Sequence, residues 1–250
     1  MSEPAGLNEL PCSVAETLQP YRINNIGSGF YYITNYIDSN LETQVLDGIY
    51  SLPESRWTVL SRRRLLSLPG PLTGTKRDSL LHAALPSFLT ANITDKFKEL
   101  QIFENSPHKA PNHCLVNEYL PGQGIMPHED GPAYYPITAT VSLASHTVLE
   151  IYEKTATGER EQKPKWRILQ EPRSLLVTTG DIYSTTLHGI AELQQDEDLN
   201  EASIANWDTL GNRELYMSGT VERQKRISLT FRDVLKVIRI GGSNKLLGRR

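Results

Sequence analysis

Four runs of strand-forming residues, HCLVNEYL, ITATVSLASHTVLEIYE, RSLLVTTGDIY and RISLTFRDVLKVI, occupy much of the chain from residue 113 to 238 and are parted by glycine and proline turns. Val, Ile, Thr, Tyr and Phe dominate them, as on the pleated, half-buried surface of a sheet. Upstream the pattern is mixed. FYYITNYI alternates like a strand, and DSNLETQVLDGIYSLP carries Leu41, Val45, Leu46 and Ile49 at helical spacing. Ser39 and Glu42 form a capping box there, and Pro53 ends the helix. PSFLTANITDKFKELQIF predicts a second amphipathic helix with Leu89, Ile93, Phe97 and Leu100 on one stripe. The fold class expected is α+β, mostly β: a double-stranded β-helix (jelly-roll) core with N-terminal helices packed on one sheet.

The domain plan follows. Residues 1–28 read as a flexible N-terminal tail. Residues 29–240 read as one domain, with helices and a substrate lid in 29–111 and the jelly-roll core in 112–240, interrupted by an inserted loop at 192–223. Residues 241–250 read as a basic C-terminal tail. No apolar run is long enough for a membrane span, and the first twenty residues lack the basic and apolar regions of a secretory signal. With Cys12 and Cys114 as its two cysteines, the chain shows no disulfide framework, which suits a cytoplasmic or nuclear protein. A net charge of −3 gives no global nucleic-acid signal, yet Arg62, Arg63 and Arg64 are consecutive and allow a locally basic face.

The chemistry-bearing stretch is MPHEDG, residues 126 to 131. At a strand end, His128 and Asp130 project to one side and could share an ion; equally, they could be two solvated side chains in a turn. His188, at the end of LVTTGDIYSTTLHGI, could supply a third ligand. Two histidines and a carboxylate with open positions suit non-haem Fe(II) and oxygen chemistry. Enzymes of that kind use the dicarboxylate 2-oxoglutarate, which calls for a buried cation. In RISLTFR, Arg226, Ser228, Thr230 and Arg232 share one strand face, which is either that cationic pocket or a solvated outer face. Asn117 and Tyr119 share a face of another strand and need hydrogen-bond partners if buried. The two arginines are about 20 Å apart along an extended strand, so one of them must be the primary anchor.

Asn117-x-Tyr119, His128-x-Asp130, His188 and Arg226-x-Ser228-x-Thr230-x-Arg232 resemble, in order and spacing, the AlkB-type Fe(II)/2-oxoglutarate dioxygenases. LVNEYLPGQGIMPHEDGPAYYP, SLASHTVL, EPRSLLV and LHGI are most similar to the sixth AlkB homologue branch. The resemblance covers roughly residues 30 to 240. It implies Fe(II), 2-oxoglutarate and O2 as cofactor and co-substrates, with His128, Asp130 and His188 as metal ligands. It implies Arg226 on the distal carboxylate of 2-oxoglutarate, and Arg232, Asn117, Tyr119, Ser228 and Thr230 around it. Two departures are visible. Ser228 stands where the family usually has Asn, and Pro132 stands where DNA-repair members have an acidic residue that contacts the damaged base.

The implied activity is oxidative demethylation of alkylated nucleobases in DNA or RNA, with the N-methyl group lost as formaldehyde. Tyr134 and Tyr135 are candidates for stacking on a base, and Arg62, Arg63 and Arg64 for phosphate contacts. A protein side chain is the alternative substrate for the same catalyst. A binding module with little chemistry is the alternative of another class. The expected partner is nucleic acid, with no membrane and a monomeric protein.

Overall fold

The computed structural model describes residues 16–155 and 160–239. β1 (Phe30–Ile33) precedes α1 (Ser39–Tyr50). β2 (Thr58–Leu60) and β3 (Arg63–Leu68) form a hairpin, followed by β4 (Ser79–Leu81), α2 (Ser87–Leu89) and α3 (Asp95–Glu99). The second half runs through β5 (His113–Tyr119), β6 (Ile125–His128), β7 (Ile137–Leu143), β8 (Thr147–Glu153), β9 (Trp166–Gln170) and β10 (Leu175–Thr179). Then come α4 (Asp181–Thr185), β11 (Thr186–Ile190), β12 (Gln195–Asp196), β13 (Val221–Glu222), β14 (Arg226–Arg232) and β15 (Lys236–Ile238).

Seven strands make one sheet, ordered β1-β10-β7-β14-β5-β3-β2, and β6-β11-β8-β9 make a second. Every pairing within these two sheets is antiparallel. This is the expected jelly roll. All seven residues of β14 are buried, because the strand lies in the middle of the larger sheet and each face has a cover. Ile227, Leu229 and Phe231 join the main core with Val45 and Ile49 of α1, Leu89 and Phe97, so the helices do pack on one sheet. Phe97 meets Phe231 edge to face at 5.1 Å. Each such side chain contributes about 1.5–3 kcal/mol by leaving water.

Three expectations need correction. Residues 16–28 are not a flexible tail: Leu18, Ile23 and Ile26 are buried, and apolar side chains so placed hold the segment to the domain. The tail expected for 1–15, and that for 241–250, lie outside the described residues. Residues 87–99 are not one helix. The backbone breaks at Ala91 and Asn92, where Asn92 takes φ +68°, a conformation asparagine tolerates better than most residues. The cap of α1 is Asp38, which accepts from the Leu41 N–H, rather than Ser39. Glu42 instead reaches across to the Ala144 N–H and to Arg173, tying α1 to the sheet.

The charged segment 192–223 is anchored. Arg223 donates to both oxygens of buried Asp196, at 2.8 and 2.6 Å, and to the Ala191 carbonyl at 2.6 Å. Glu171 accepts from the Gly211 and Asn212 N–H groups and from the Tyr32 hydroxyl. Burial alone would raise the Asp196 pKa, but the bonds from Arg223, with the His146 ring 3.3 Å away, hold it below the usual carboxylate range. Asp196→Asn leaves Arg223 buried without its counter-charge and is expected to cost about 3–5 kcal/mol, read as a lower urea midpoint. The contribution is present above the unfolded carboxylate pKa, about 3.9, and lost as pH falls through the lower folded value. The stabilities of variant and wild type therefore converge in acid.

Candidate metal centre and co-substrate pocket

The two sheets enclose a cavity of about 480 Å³. The larger sheet turns the even-numbered face of β14 into it, with Asn117 and Tyr119 of β5 beside. The face bearing Arg226, Ser228, Thr230 and Arg232 is thus an interior wall, which excludes the solvated alternative. The smaller sheet contributes His128 from β6 and His188 from β11.

These two histidines stand opposite each other in the antiparallel register, with ring centroids 4.5 Å apart. His188 lies inside β11 rather than at a strand end, because the short α4 takes the place of the tight turn expected after Gly180. Gly189 lets β6 and β11 approach: a Cβ there would sit 2.9 Å from the Pro127 nitrogen, tighter than atoms allow. Asp130 follows β6 and places Oδ1 3.9 Å from His188 Nε2. One ligand-capable atom from each of the three lies within 4.8 Å of the others.

The protonation states suit a cation. His128 Nδ1 sits 2.8 Å from the Met126 carbonyl oxygen and so carries the proton, which leaves Nε2 with a lone pair. Burial, helped by His128 and Arg232, pushes the His188 pKa down to about 4, so its imidazole is neutral near pH 7. Burial would raise the Asp130 pKa, but the Arg232 guanidinium bonded to it holds the carboxyl below the usual range.

The arginines of β14 differ in partner. Arg232 is ion-paired with Asp130 and lies over the Tyr134 ring, 4.9 Å from its centroid. Arg226 donates only to neutral groups, the Ser142 hydroxyl at 2.7 Å and the Gln170 side-chain oxygen at 3.2 Å. The Nε of each arginine is buried without a partner among the described residues. Burial pushes the Arg226 pKa down to about 10, which still leaves it cationic. A buried, charged fork facing a cavity without a counter-ion is the arrangement a carboxylate ligand would complete.

The remaining candidates divide. Arg63 lines the cavity and donates to the Asn117 side-chain oxygen at 3.1 Å. Arg62 is exposed and paired with Glu192. Arg64 is not poised for a ligand: it bonds Glu118 and Glu54 and stacks on Trp57, on the opposite face of β3 from Arg63. Tyr134 lines the cavity, whereas its neighbour Tyr135 is buried in the main core and cannot stack on a base. Ser142 and Gln170, which back Arg226, were not singled out by the sequence. Ser142 shares a strand face with Thr138 and Thr140, a signal readable only once β7 is known to pair with β14. Glu129, paired with Lys154 at 2.8 Å, and Tyr183 also line the cavity without a motif to mark them.

Comparison with known proteins gives the family. The 2OG-Fe(II) oxygenase superfamily profile matches residues 72–232. The chain belongs to that superfamily and is, by class, an oxidoreductase. Within it the chain is of the AlkB type. It is 35% identical over 248 residues to the probable RNA/DNA demethylase ALKBH6 of Danio rerio, spanning 96% of this chain and 98% of that protein. It is 29% identical to the uncharacterized protein L905 of Acanthamoeba polyphaga mimivirus, spanning 84% of this chain and 86% of the relative. The solved structure of OsALKBH1 shares the fold, with TM-score 0.53 at 13% identity over 83% of this chain and 98% of that one. No described helix is long and apolar enough to cross a membrane.

Because Arg226 has no carboxylate partner among the described residues, Arg226→Met is expected to leave thermal stability equal or higher when no ligand is added. Arg232→Met, which strips Asp130 of its cation, is expected to lower the melting temperature; differential scanning calorimetry compares the two.

Proposed function

We propose that this chain is an Fe(II)/2-oxoglutarate-dependent oxidative demethylase of alkylated nucleobases in DNA or RNA. One observation carries the proposal: the His128, Asp130 and His188 triad lines the same cavity as Arg226, whose guanidinium bonds only neutral groups among the described residues. His128 Nε2, an Asp130 oxygen and a His188 ring nitrogen would hold the ion. The neutral imidazole of His188 and the ionised carboxylate of Asp130 are the states that such ligands need.

Arg226 would take the distal carboxylate of 2-oxoglutarate, with Ser142 and Gln170 fixing the plane of its guanidinium. Asn117, Tyr119, Ser228 and Thr230 offer the amide and hydroxyl groups that would surround the rest of that molecule. Arg232 would hold Asp130 ionised and oriented rather than bind the co-substrate directly. Bound together with O2, the ion and 2-oxoglutarate supply an oxidant for C–H hydroxylation, and a hydroxylated N-methyl group leaves as formaldehyde.

The nucleic-acid substrate is supported by the name of the zebrafish relative and by the cationic Arg63 in the cavity wall. A protein side chain would need no phosphate-binding surface, so oligonucleotide binding that weakens with salt favours the proposed substrate.

Succinate formed from 2-oxoglutarate, with Fe(II) and O2, is expected to rise with one member of a panel of methylated oligonucleotides and to vanish in Asp130→Ala. Turnover indifferent to Asp130, or none in folded, iron-loaded protein, overturns the reading. Arg226→Lys keeps the charge but loses the fork; removing charged hydrogen bonds worth about 1.5–3 kcal/mol weakens 2-oxoglutarate binding by about 10–100-fold. Calorimetric titration under argon measures it.

A further inference from the structure

The metal triad and co-substrate wall leave few polar groups in the cavity without a task. Glu129 is paired with Lys154, and Arg63 with Asn117. Tyr183, from α4, differs: its hydroxyl is buried and has no hydrogen-bond partner among the described residues, yet it lines the cavity with Asp130. Buried hydroxyls are nearly always paired, so an unpaired one on a residue that lines a ligand cavity points to a ligand atom. Burial and the nearby Asp130 carboxylate both raise its pKa, so the phenol keeps its proton and can donate.

The charge of the cavity is one-sided. Its cationic side chains are Arg63, Arg226 and Arg232, and its carboxylates are Asp130 and Glu129, the latter already neutralised by Lys154. A divalent cation and a dicarboxylate co-substrate cancel each other, so filling the site would leave the excess of positive charge in place. A cationic base entering such a cavity meets repulsion in a low dielectric.

Resting on the proposed demethylase reading, we infer that Tyr183 is a substrate-contacting, specificity-determining residue. Its hydroxyl donates to an acceptor beside the methyl-bearing nitrogen of a neutral methylated nucleobase, and the site discriminates against bases that are cationic when methylated. Two pairs of bases isolate this. 3-Methyluracil is neutral with carbonyl oxygens flanking N3, while 3-methylcytosine carries a positive charge and an amino group. N6-methyladenine is neutral with N1 free as an acceptor, while 1-methyladenine is cationic with N1 blocked.

The test is fluorescence anisotropy with Fe(II)- and 2-oxoglutarate-loaded protein under argon, using oligonucleotides of one sequence that differ only in these bases. Expected is tenfold or tighter binding of the neutral member in at least one pair, with that advantage reduced severalfold in Tyr183→Phe and the remainder left by the arginine charges. The Fe(II) affinity of Tyr183→Phe is expected to stay unchanged, which a role in orienting Asp130 would not allow. Tighter binding of the cationic members, equal binding of all, an advantage undiminished in Tyr183→Phe, or weakened Fe(II) binding overturns the inference and leaves the demethylase reading standing. Failure of every oligonucleotide to bind removes the nucleic-acid reading and this inference with it.

Discussion

The structure turns on the burial of β14. A strand in the middle of a seven-stranded sheet has both faces covered, yet this one carries two guanidinium groups on one of them. Buried charge is tolerated only with compensation. At one end Asp130 supplies it, and the resulting ion pair links the larger sheet to the loop that leaves β6. At the other end, among the described residues, Arg226 donates only to a hydroxyl and an amide oxygen. The interior of the barrel is therefore polar along one wall, and the space beside that wall is where an ion and an anion can complete it.

The smaller sheet contributes what the larger one lacks. Its register puts two histidines face to face, and its apolar residues, Leu149 and Ile151 among them, line the same cavity. The segment after β11 then folds over its outer parts. Leu199, Ile204, Trp207, Leu210 and Tyr216 join a second apolar cluster that also takes in Phe30, Tyr32 and Leu176. What looks in the sequence like a long charged excursion is secured by buried apolar contacts and by the Arg223–Asp196 pair.

Alternation made much of the site legible. Arg226, Ser228, Thr230 and Arg232 had to share a face, and so did Asn117 and Tyr119, because side chains repeat every two residues along a strand. The same alternation cannot say which face meets solvent; that depends on what covers the sheet. Adjacent Tyr134 and Tyr135 show the limit, one in the cavity wall and the other in the core. The stripe Leu89, Ile93, Phe97 and Leu100 was correctly read as the side that packs on the core, although the backbone beneath it breaks at Asn92. Leu18, Ile23 and Ile26 escaped notice because no periodicity marks them. Tyr183 escaped for another reason: nothing local reveals that a hydroxyl will be buried without a partner.

Gly189 bears on how such a centre can be tuned. The glycine touches no ion and offers no ligand atom, yet the close approach of β11 to Pro127 requires that it have no side chain. The distance across the histidine pair is consequently written into a residue that a ligand survey would pass over. A methyl group introduced there would act as a shim between two strands, widening the ligand set while leaving every donor chemically intact. The spacing of the proposed donors is thus under the control of main-chain packing as well as of the donors themselves.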